Sequence, residues 1–534
     1  MDLEDTITEQ PSSGFAERCR AIWHGRVTVT DDQEWHRIRC PMTDLVAVCE
    51  WLSGSCGYVF ATLVVEEDTP AWRLTYMFHA PSGGQWAEVE TCPPGPEAAV
   101  PSISAAIPAA DWYEREAADL FELTFAGHPR TRSFVLHEGW PDHVPLMRAG
   151  CNIRVAFTPA ESTPPPTETE PVSGVPGAFA MPIGPVYSDT AESAHFRIES
   201  LGEDVNRLGL QFFYKYRAVE KLAEGQAIDA ALLLAERFSG SAAFAHGLAF
   251  CQAVEAICGI TPPTRALALR TMLAELERLR SHAATITGIC NSTALVVASS
   301  VAAIIEEELL RLSCIVSGHR YFFGALTPGG LRADIPDTRC RALRAAVSAI
   351  ANRLDRLERM LQQSSSFLDR LEEVGIVPAE TAALLGLAGP VARASAVPHD
   401  MRRLFPYAAY PRHAPDVPVE AEGDGYARLR VLFREAAMAA ALICDVSAAL
   451  PPGPVNAGSV RPVPGVALGV VEAPLGAAFH HVRLAEDGIV RRLRISPPSF
   501  VNWRGFQWAA ESFAFQDFPI ILATFGLSNA ENDR

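Results

Sequence analysis

Three kinds of side chain in this 534-residue sequence could do chemistry. The first is the thiol. Twelve cysteines are scattered between Cys19 and Cys444, and no two form C-x-x-C. Iron–sulfur and zinc sites take paired thiolates at short spacing, so the sequence offers no such cluster. Ordinary buried thiols in a reducing compartment are the reading that fits. The second kind is the carboxylate. Glu114, Glu116 and Asp119 share one helical stretch. They are either an acid cluster or the charged start of a helix that docks a neighbouring chain. Glu192 and Glu220 lie beside apolar segments and could relay protons if burial raises their pKa values. Ion pairing with Arg197 or Arg217 is the competing reading. The third kind is a set of lone aromatic and imidazole groups, Tyr187, His195, Tyr216 and His246. Each is either a packed core side chain or part of a ligand cavity.

The elements that position these groups are read from composition and periodicity. Hydrophobic residues make up 49% of the chain and charged residues 20%, enough for a sizeable core. At roughly 100–200 residues per domain, roughly two to four domains are expected. A net charge of −18 would be repelled by phosphate backbones, which argues against a nucleic-acid partner. Met1-Asp2-Leu3-Glu4-Asp5 is acidic and is followed by no apolar run, unlike a secretory or transit peptide. The most apolar segment, 294–305, is shorter than the ~18 residues a membrane span requires and runs into Glu306-Glu307-Glu308. No transmembrane segment is expected. Residues 1–157 read as an α/β domain, with strands over 26–30, 57–65 and 71–78 and a helix over 42–52. Residues 158–180 are rich in Pro, Thr, Glu and Ser and read as a semi-extended linker. Residues 181–534 open with a β-ribbon. Helices follow around 267–279, 294–316 and 341–371 and would pack as a bundle, and strands with a short helix come towards the end.

Several stretches carry a family resemblance. Glu236-Arg237-Phe238-Ser239-Gly240-Ser241-Ala242-Ala243-Phe244-Ala245-His246, running on to Cys251-Gln252-Ala253-Val254-Glu255, resembles the nickel-binding segment of membrane-bound [NiFe] hydrogenase large subunits, E-R-x-C-G-x-C-G-F-x-H. Glu114-Arg115-Glu116 through Gly127-His128-Pro129 resembles the signature of the C-type subunit of complex I, E-R-E-x-x-D-x-F-G-I-x-F-x-G-H-P, with Glu122 in the place of a glycine. Pro182-Ile183-Gly184-Pro185-Val186-Tyr187 is similar to the opening P-I-G-P-V-H of group-4 hydrogenases. Tyr214-Lys215-Tyr216-Arg217-Ala218-Val219-Glu220 is similar to Y-x-H-R-G-I-E. Tyr187 and Tyr216 stand where these patterns have histidines, and Glu192 falls on a glutamate that helps relay protons in hydrogenases. Ser317-Gly318-His319-Arg320 and Gly389-Pro390-Val391-Ala392-Arg393-Ala394-Ser395-Ala396 continue the match, Ala396 replacing a glycine. Val471-Glu472-Ala473-Pro474-Leu475-Gly476 resembles V-E-A-P-R-G, with Leu475 replacing an arginine beside the metal.

The chain is thus similar to the C-type and D-type subunits of complex I fused in one polypeptide, in the group-4 hydrogenase (formate hydrogenlyase and hydrogenase-4) family. The resemblance implies an α+β N-terminal domain followed by a mainly α-helical bundle domain with small β-ribbons. It also implies four thiolates for a [NiFe] centre. Ser239, Ala242, Ser528 and Glu531 occupy their positions. A serine hydroxyl stays protonated at neutral pH and alanine is no ligand, so no metal set is expected here. In the D-type complex I protein a tyrosine near the position of Gly240 and a ribbon histidine bind a quinone headgroup. Tyr187, His195, Tyr216, Gly240 and His246 would line the comparable cavity. The expected function is that of a peripheral-arm core subunit of a membrane-bound, complex I-like oxidoreductase on the cytoplasmic face of the membrane. The resemblance implies no directly bound cofactor and leaves room for a quinone. Its implied partners are a small iron–sulfur subunit that holds the clusters, other peripheral-arm subunits and membrane antiporter-like subunits. The alternative is a catalytically silent scaffold between redox and membrane subunits, and an active hydrogenase is disfavoured. A polar cavity between Tyr187, Glu192, Tyr216 and Gly240 would favour the first reading. Filling by Phe238, Leu475 and Phe525 would favour the scaffold.

Overall fold

The computed structural model describes residues 14–32, 34–68, 71–95, 97–130, 133–136, 140, 145–151, 174–187 and 192–534. The chain divides into two compact units, Met1–Arg132 and Ser133–Arg534. Most of the expected linker over 158–180 lies outside the described residues, and its last two residues already belong to the strand Phe179–Ile183. The second unit begins at Ser133, before the linker. Phe134 packs edge-on against Phe213, with ring centroids 5.0 Å apart, and against Phe500.

The first unit is built on a five-stranded sheet. Its order is Thr28–Asp31, Trp35–Arg39, Trp86–Thr91, Ala71–His79, Val59–Asp68. Only the Trp35–Arg39 and Trp86–Thr91 pair is parallel. The alternation of Leu74, Tyr76 and Phe78 places three large apolar side chains on one buried face. The helix Asp111–Phe121 begins with Glu114 and Glu116, and both are buried. The charged start expected to meet a neighbouring chain turns inward instead. Glu114 accepts hydrogen bonds from the Ser102 hydroxyl at 2.5 Å, the Ile103 N–H at 2.9 Å and the Tyr76 hydroxyl at 3.2 Å. Burial outweighs these bonds and pushes its pKa up to about 7.

The second unit is a helical bundle, Ala243–Cys258, Thr264–Ser292, Val296–Ser317, Asp337–Gln362 and Gly425–Ala448, carrying two three-stranded antiparallel sheets. One sheet is Phe179–Ile183, His195–Leu201 and Asp204–Gln211. The other is Gly465–Ala473, Gly476–Leu484 and Val490–Ser496. Helix Thr264–Ser292 is buried on nearly every face and includes Arg270, Glu275, Glu277, Arg278 and His282 among its buried residues. Strand Gly465–Ala473 lies so close to helix Ala243–Cys258 that a Cβ on Gly469 would fall on the Ala249 carbonyl. Among the described residues no helix is long and apolar enough to cross a membrane.

Three positions where the family patterns have glycine retain the glycine backbone without the glycine. Glu122 ends helix Asp111–Phe121 at φ +61°, Ala218 precedes helix Val219–Ala223 at φ +51°, and Ala396 turns at φ +62°. A left-handed residue with a Cβ costs about 1–2 kcal/mol, more than the ~0.5–1 kcal/mol by which glycine loosens the unfolded chain. Glu122→Gly, Ala218→Gly and Ala396→Gly are therefore each expected to raise stability by up to about 1 kcal/mol. Gly469→Ala should lower it by about 1–3 kcal/mol or more. Thermal denaturation of the four variants checks this, and a lower Tm for the three glycine variants would contradict it.

Candidate functional site

The turn over 238–242 ends where helix Ala243–Cys258 begins, and Glu277 holds that helix start. Its two carboxylate oxygens accept the Phe244 N–H at 2.7 Å and the Ala245 N–H at 2.9 Å. Burial pushes the Glu277 pKa up to about 7. The guanidinium of Arg280, about one turn further along the same helix, donates to the carbonyls of Gly240 at 2.9 Å and Ser241 at 2.7 Å. These bonds present the Ser239 and Ser241 hydroxyls, 2.9 Å apart, to the interior.

The group they meet is Glu531, from the short helix Asn529–Asn532. Its carboxylate accepts from Ser239 at 3.2 Å, from Ser241 at 3.5 Å and from the Ser499 N–H at 3.2 Å. His246 Nε2 lies 3.7 Å away. His246 Nδ1 is 3.0 Å from His480 Nε2, and both imidazoles are fully buried. Burial works against ionisation of Glu531, but neighbouring His246 and the Ser499 hydrogen bonds outweigh it and hold the carboxyl below the ordinary glutamate range. Burial, then neighbouring His246 and Arg534, push the His480 imidazole well below its usual value.

Of the four positions expected to carry thiolates, Ser239 and Glu531 are in hydrogen-bond contact. Ser239 bonds Glu531, Ala242 is buried and supplies no donor, and Ser528 bonds Glu192 at 3.2 Å. Among the described residues no group of three or more His, Cys, Asp or Glu side chains is placed to hold a metal ion. All twelve cysteines are free thiols. This donor set does not fit a nickel–iron centre, which takes soft thiolates.

The two expected proton-relay acids are placed differently from the expectation. Glu192 is exposed rather than set among apolar helices. Its carboxylate accepts from the Asn529 N–H, from the Ala530 N–H at 3.0 Å and from Ser528. It therefore pins the opening ribbon to the start of the short helix that carries Glu531. Glu220 is buried, but it is clamped by Arg492 at 3.3 Å, Arg494 at 3.3 Å, Arg534 at 3.2 Å and the Ile495 N–H at 3.0 Å. Burial would raise its pKa. The three guanidiniums win, and the carboxyl lies below its ordinary value. The ion pair is real, but neither Arg197 nor Arg217 makes it. Arg197 lies 3.8 Å from Glu199, and Arg217 donates to the carbonyls of Ala530 and Asp533.

The expected cavity residues differ in burial and in partners. Tyr187 donates to the Ala194 carbonyl of its own ribbon at 2.9 Å. His195 is buried on strand His195–Leu201, and Tyr216 is half-buried beside Phe213. Gly240 is exposed, whereas His246 is sealed inside. Phe238, Leu475 and Phe525 are all buried. A cavity of about 650 Å³ is lined by Arg217, Val219, Leu222, Leu233, Arg237 and Phe238 among others, and by none of the five expected residues. The Phe238 ring sits 4.5 Å from the His246 ring, between that cavity and the buried imidazoles. Sequence reasoning missed Tyr321, whose ring lies 4.0 Å from where a Gly240 Cβ would stand. It also missed His480 and Ser499. The adjacent pair His480-His481 within a strand was the one available signal for His480.

Two family models match the chain, one in each half. Residues 38–150 match the family described as Respiratory-chain NADH dehydrogenase, 30 Kd subunit, and residues 298–464 match the 49 Kd subunit of the same enzyme. The chain joins these 30 kDa and 49 kDa complex I domains in one polypeptide. It is 29% identical to formate hydrogenlyase subunit 5 of Escherichia coli (strain K12), over 81% of this chain and 77% of that protein. It is 27% identical to hydrogenase-4 component G of the same strain, over 81% and 76%. It is 28% identical to the C/D subunit of NADH-quinone oxidoreductase from Bdellovibrio bacteriovorus, over 81% and 83%.

The Glu220 clamp yields a direct test. The folded pKa lies below the unfolded one, so the stability it contributes is fully present above the ordinary glutamate pKa of about 4.3 and is lost as pH falls through the folded value. Glu220→Ala removes the carboxylate that faces three buried guanidiniums and should cost about 3–5 kcal/mol at neutral pH. The difference between wild type and variant should shrink as pH falls below about 4. Urea denaturation at both pH values checks this. Equal midpoints at neutral pH would show that the clamp contributes nothing.

Proposed function

We propose that this chain is a peripheral-arm core subunit of a membrane-bound, complex I-like oxidoreductase, and that it works without a nickel–iron centre. The observation that carries this reading is Glu531. Its carboxylate stands at a position where the family pattern has a thiolate, and Ser239, Ser241, Ser499 and His246 surround it. What remains there is proton chemistry. A buried carboxylate, two hydroxyls and two imidazoles in contact can hold a proton and pass it on. Electrons would travel through iron–sulfur clusters of a small partner subunit. The other partners would be further peripheral-arm subunits and antiporter-like membrane subunits, with this chain at the cytoplasmic face.

A second reading is favoured by the 650 Å³ cavity. Its wall is largely apolar, Arg217 and Arg237 stand on it, and the Phe238 ring packs at a tilt against His246. An apolar ring with polar oxygens, such as a quinone, would fit that lining. It would sit one side chain away from the buried imidazoles. The scaffold alternative draws on the burial of Phe238, Leu475 and Phe525.

The purified complex is expected to show no hydrogen-dependent reduction of a viologen dye. Electron transfer driven by its own donor should persist in Glu531→Gln with an altered pH profile. A scaffold would give an unaltered profile. Hydrogen-dependent dye reduction that survives removal of other hydrogenases would overturn the proposal.

A further inference from the structure

A second group of charges lies wholly inside the bundle and takes no part in the Glu531 cluster. Four carboxylates, Glu275, Asp400, Glu435 and Glu472, face three guanidiniums, Arg278, Arg393 and Arg402. All seven are buried. Each guanidinium is held by short contacts. Arg402 bonds Asp400 at 2.6 and 2.9 Å and Glu275 at 3.0 Å. Arg393 bonds Glu435 at 2.7 Å and Glu472 at 2.8 Å. Arg278 bonds Glu275 at 3.3 Å and the carbonyls of Glu472 and Ala473.

An unbalanced charge in a dry interior costs several kcal/mol, so the group changes protonation instead. The imbalance here is one negative charge, and one proton removes it. The other titratable groups facing the network are His282, Tyr407, Tyr410 and His399. Tyr410 donates its hydroxyl to Glu275 at 2.5 Å, and Tyr407 accepts the Glu472 N–H at 3.0 Å. Burial pushes both phenols up, so they stay neutral. Burial, then Arg393, lowers His399. His282 is the rival site, with Nε2 2.8 Å from Glu435. Its Nδ1, however, is buried and has no hydrogen-bond partner among the described residues, so an imidazolium would leave a bare N–H donor in the core.

We infer that the network binds one proton at neutral pH and that Glu472 carries it. Glu472 and Asp400 share the same Arg393 nitrogen, at 2.8 and 3.5 Å, as a pair of like charges around one donor. Asp400 has two further bonds from the Arg402 guanidinium and one from its backbone N–H. Among the described residues the Glu472 carboxylate has only Arg393 and the Met401 N–H at 3.0 Å. The less solvated carboxylate of the two takes the proton. Burial and then Asp400 push Glu472 in the same direction, above its ordinary value. This is a proton-binding site on strand Gly465–Ala473, and it stands whether or not the Glu531 cluster moves protons.

The test is an infrared difference spectrum of the full chain, wild type minus Glu472→Gln, at neutral pH. A carbonyl band of a protonated carboxylic acid is expected, together with a Tm for Glu472→Gln within a few degrees of wild type, because glutamine keeps the shape and charge of the neutral acid. Glu435→Gln also removes one of the four carboxylates, so Glu472 should ionise and the band should be lost, and the variant should melt below wild type because Arg393 and His282 lose an ionised partner. Asp400→Asn removes the like charge and should abolish the band while Glu472 remains. Absence of the band in the difference spectrum overturns the inference. So does failure of Glu472→Gln to fold, or a Tm loss equal to that of Glu435→Gln.

Discussion

A carboxylate sealed in a dry interior must be hydrogen-bonded from several sides or it will not stay charged. Glu531 meets that condition with two serine hydroxyls and a backbone N–H, and the His246 imidazole stands 3.7 Å away. The surrounding structure can be followed outward from it. The serines are aimed by the Arg280 bonds to the carbonyls of Gly240 and Ser241, and the turn is anchored by Glu277 at the next helix start. The helix that carries Glu531 is fastened by Glu192 on one side and by Arg217 on the other. Segments almost three hundred residues apart are joined by one acid.

The same rule is solved differently at each buried acid. Glu220 has three guanidiniums and is firmly ionised. Glu114 and Glu277 have hydrogen-bond donors without comparable cation contact, and burial leaves each near neutrality. Glu472 shares its one guanidinium with other carboxylates. Whether a buried acid holds a proton is decided by the count of full positive charges around it more than by depth. The bundle therefore contains both acids locked by cations and acids able to take up a proton, a few residues apart along the same helices.

Much of the fold was legible in the sequence because it rests on periodicity. Alternation in the strand around Tyr76 and the long apolar helices from Thr264 to Ala448 are local signals. The meeting of Ser239 and Glu531 was legible only through motif resemblance, since no spacing rule links residues so distant in sequence. The electrostatic partners were not legible. Glu220 was read as a proton relay or as an ion pair with Arg197 or Arg217, but strand register sets Arg492 and Arg494 against it. Glu192 shows the complementary error. An acid near apolar sequence can still lie at the surface when it caps a helix. Glu122, Ala218 and Ala396 show that losing a glycine need not change the turn, because surrounding packing can hold a left-handed residue in place.

The central claim is that an oxygen and imidazole cluster has taken the place of a nickel–iron centre. The measurement that tests it most directly is the nickel, iron and quinone content of the complex purified from its native membranes, normalised to this chain. The account predicts iron attributable to partner subunits and no stoichiometric nickel. One nickel per chain, lost together with activity on Glu531→Ala, would contradict it.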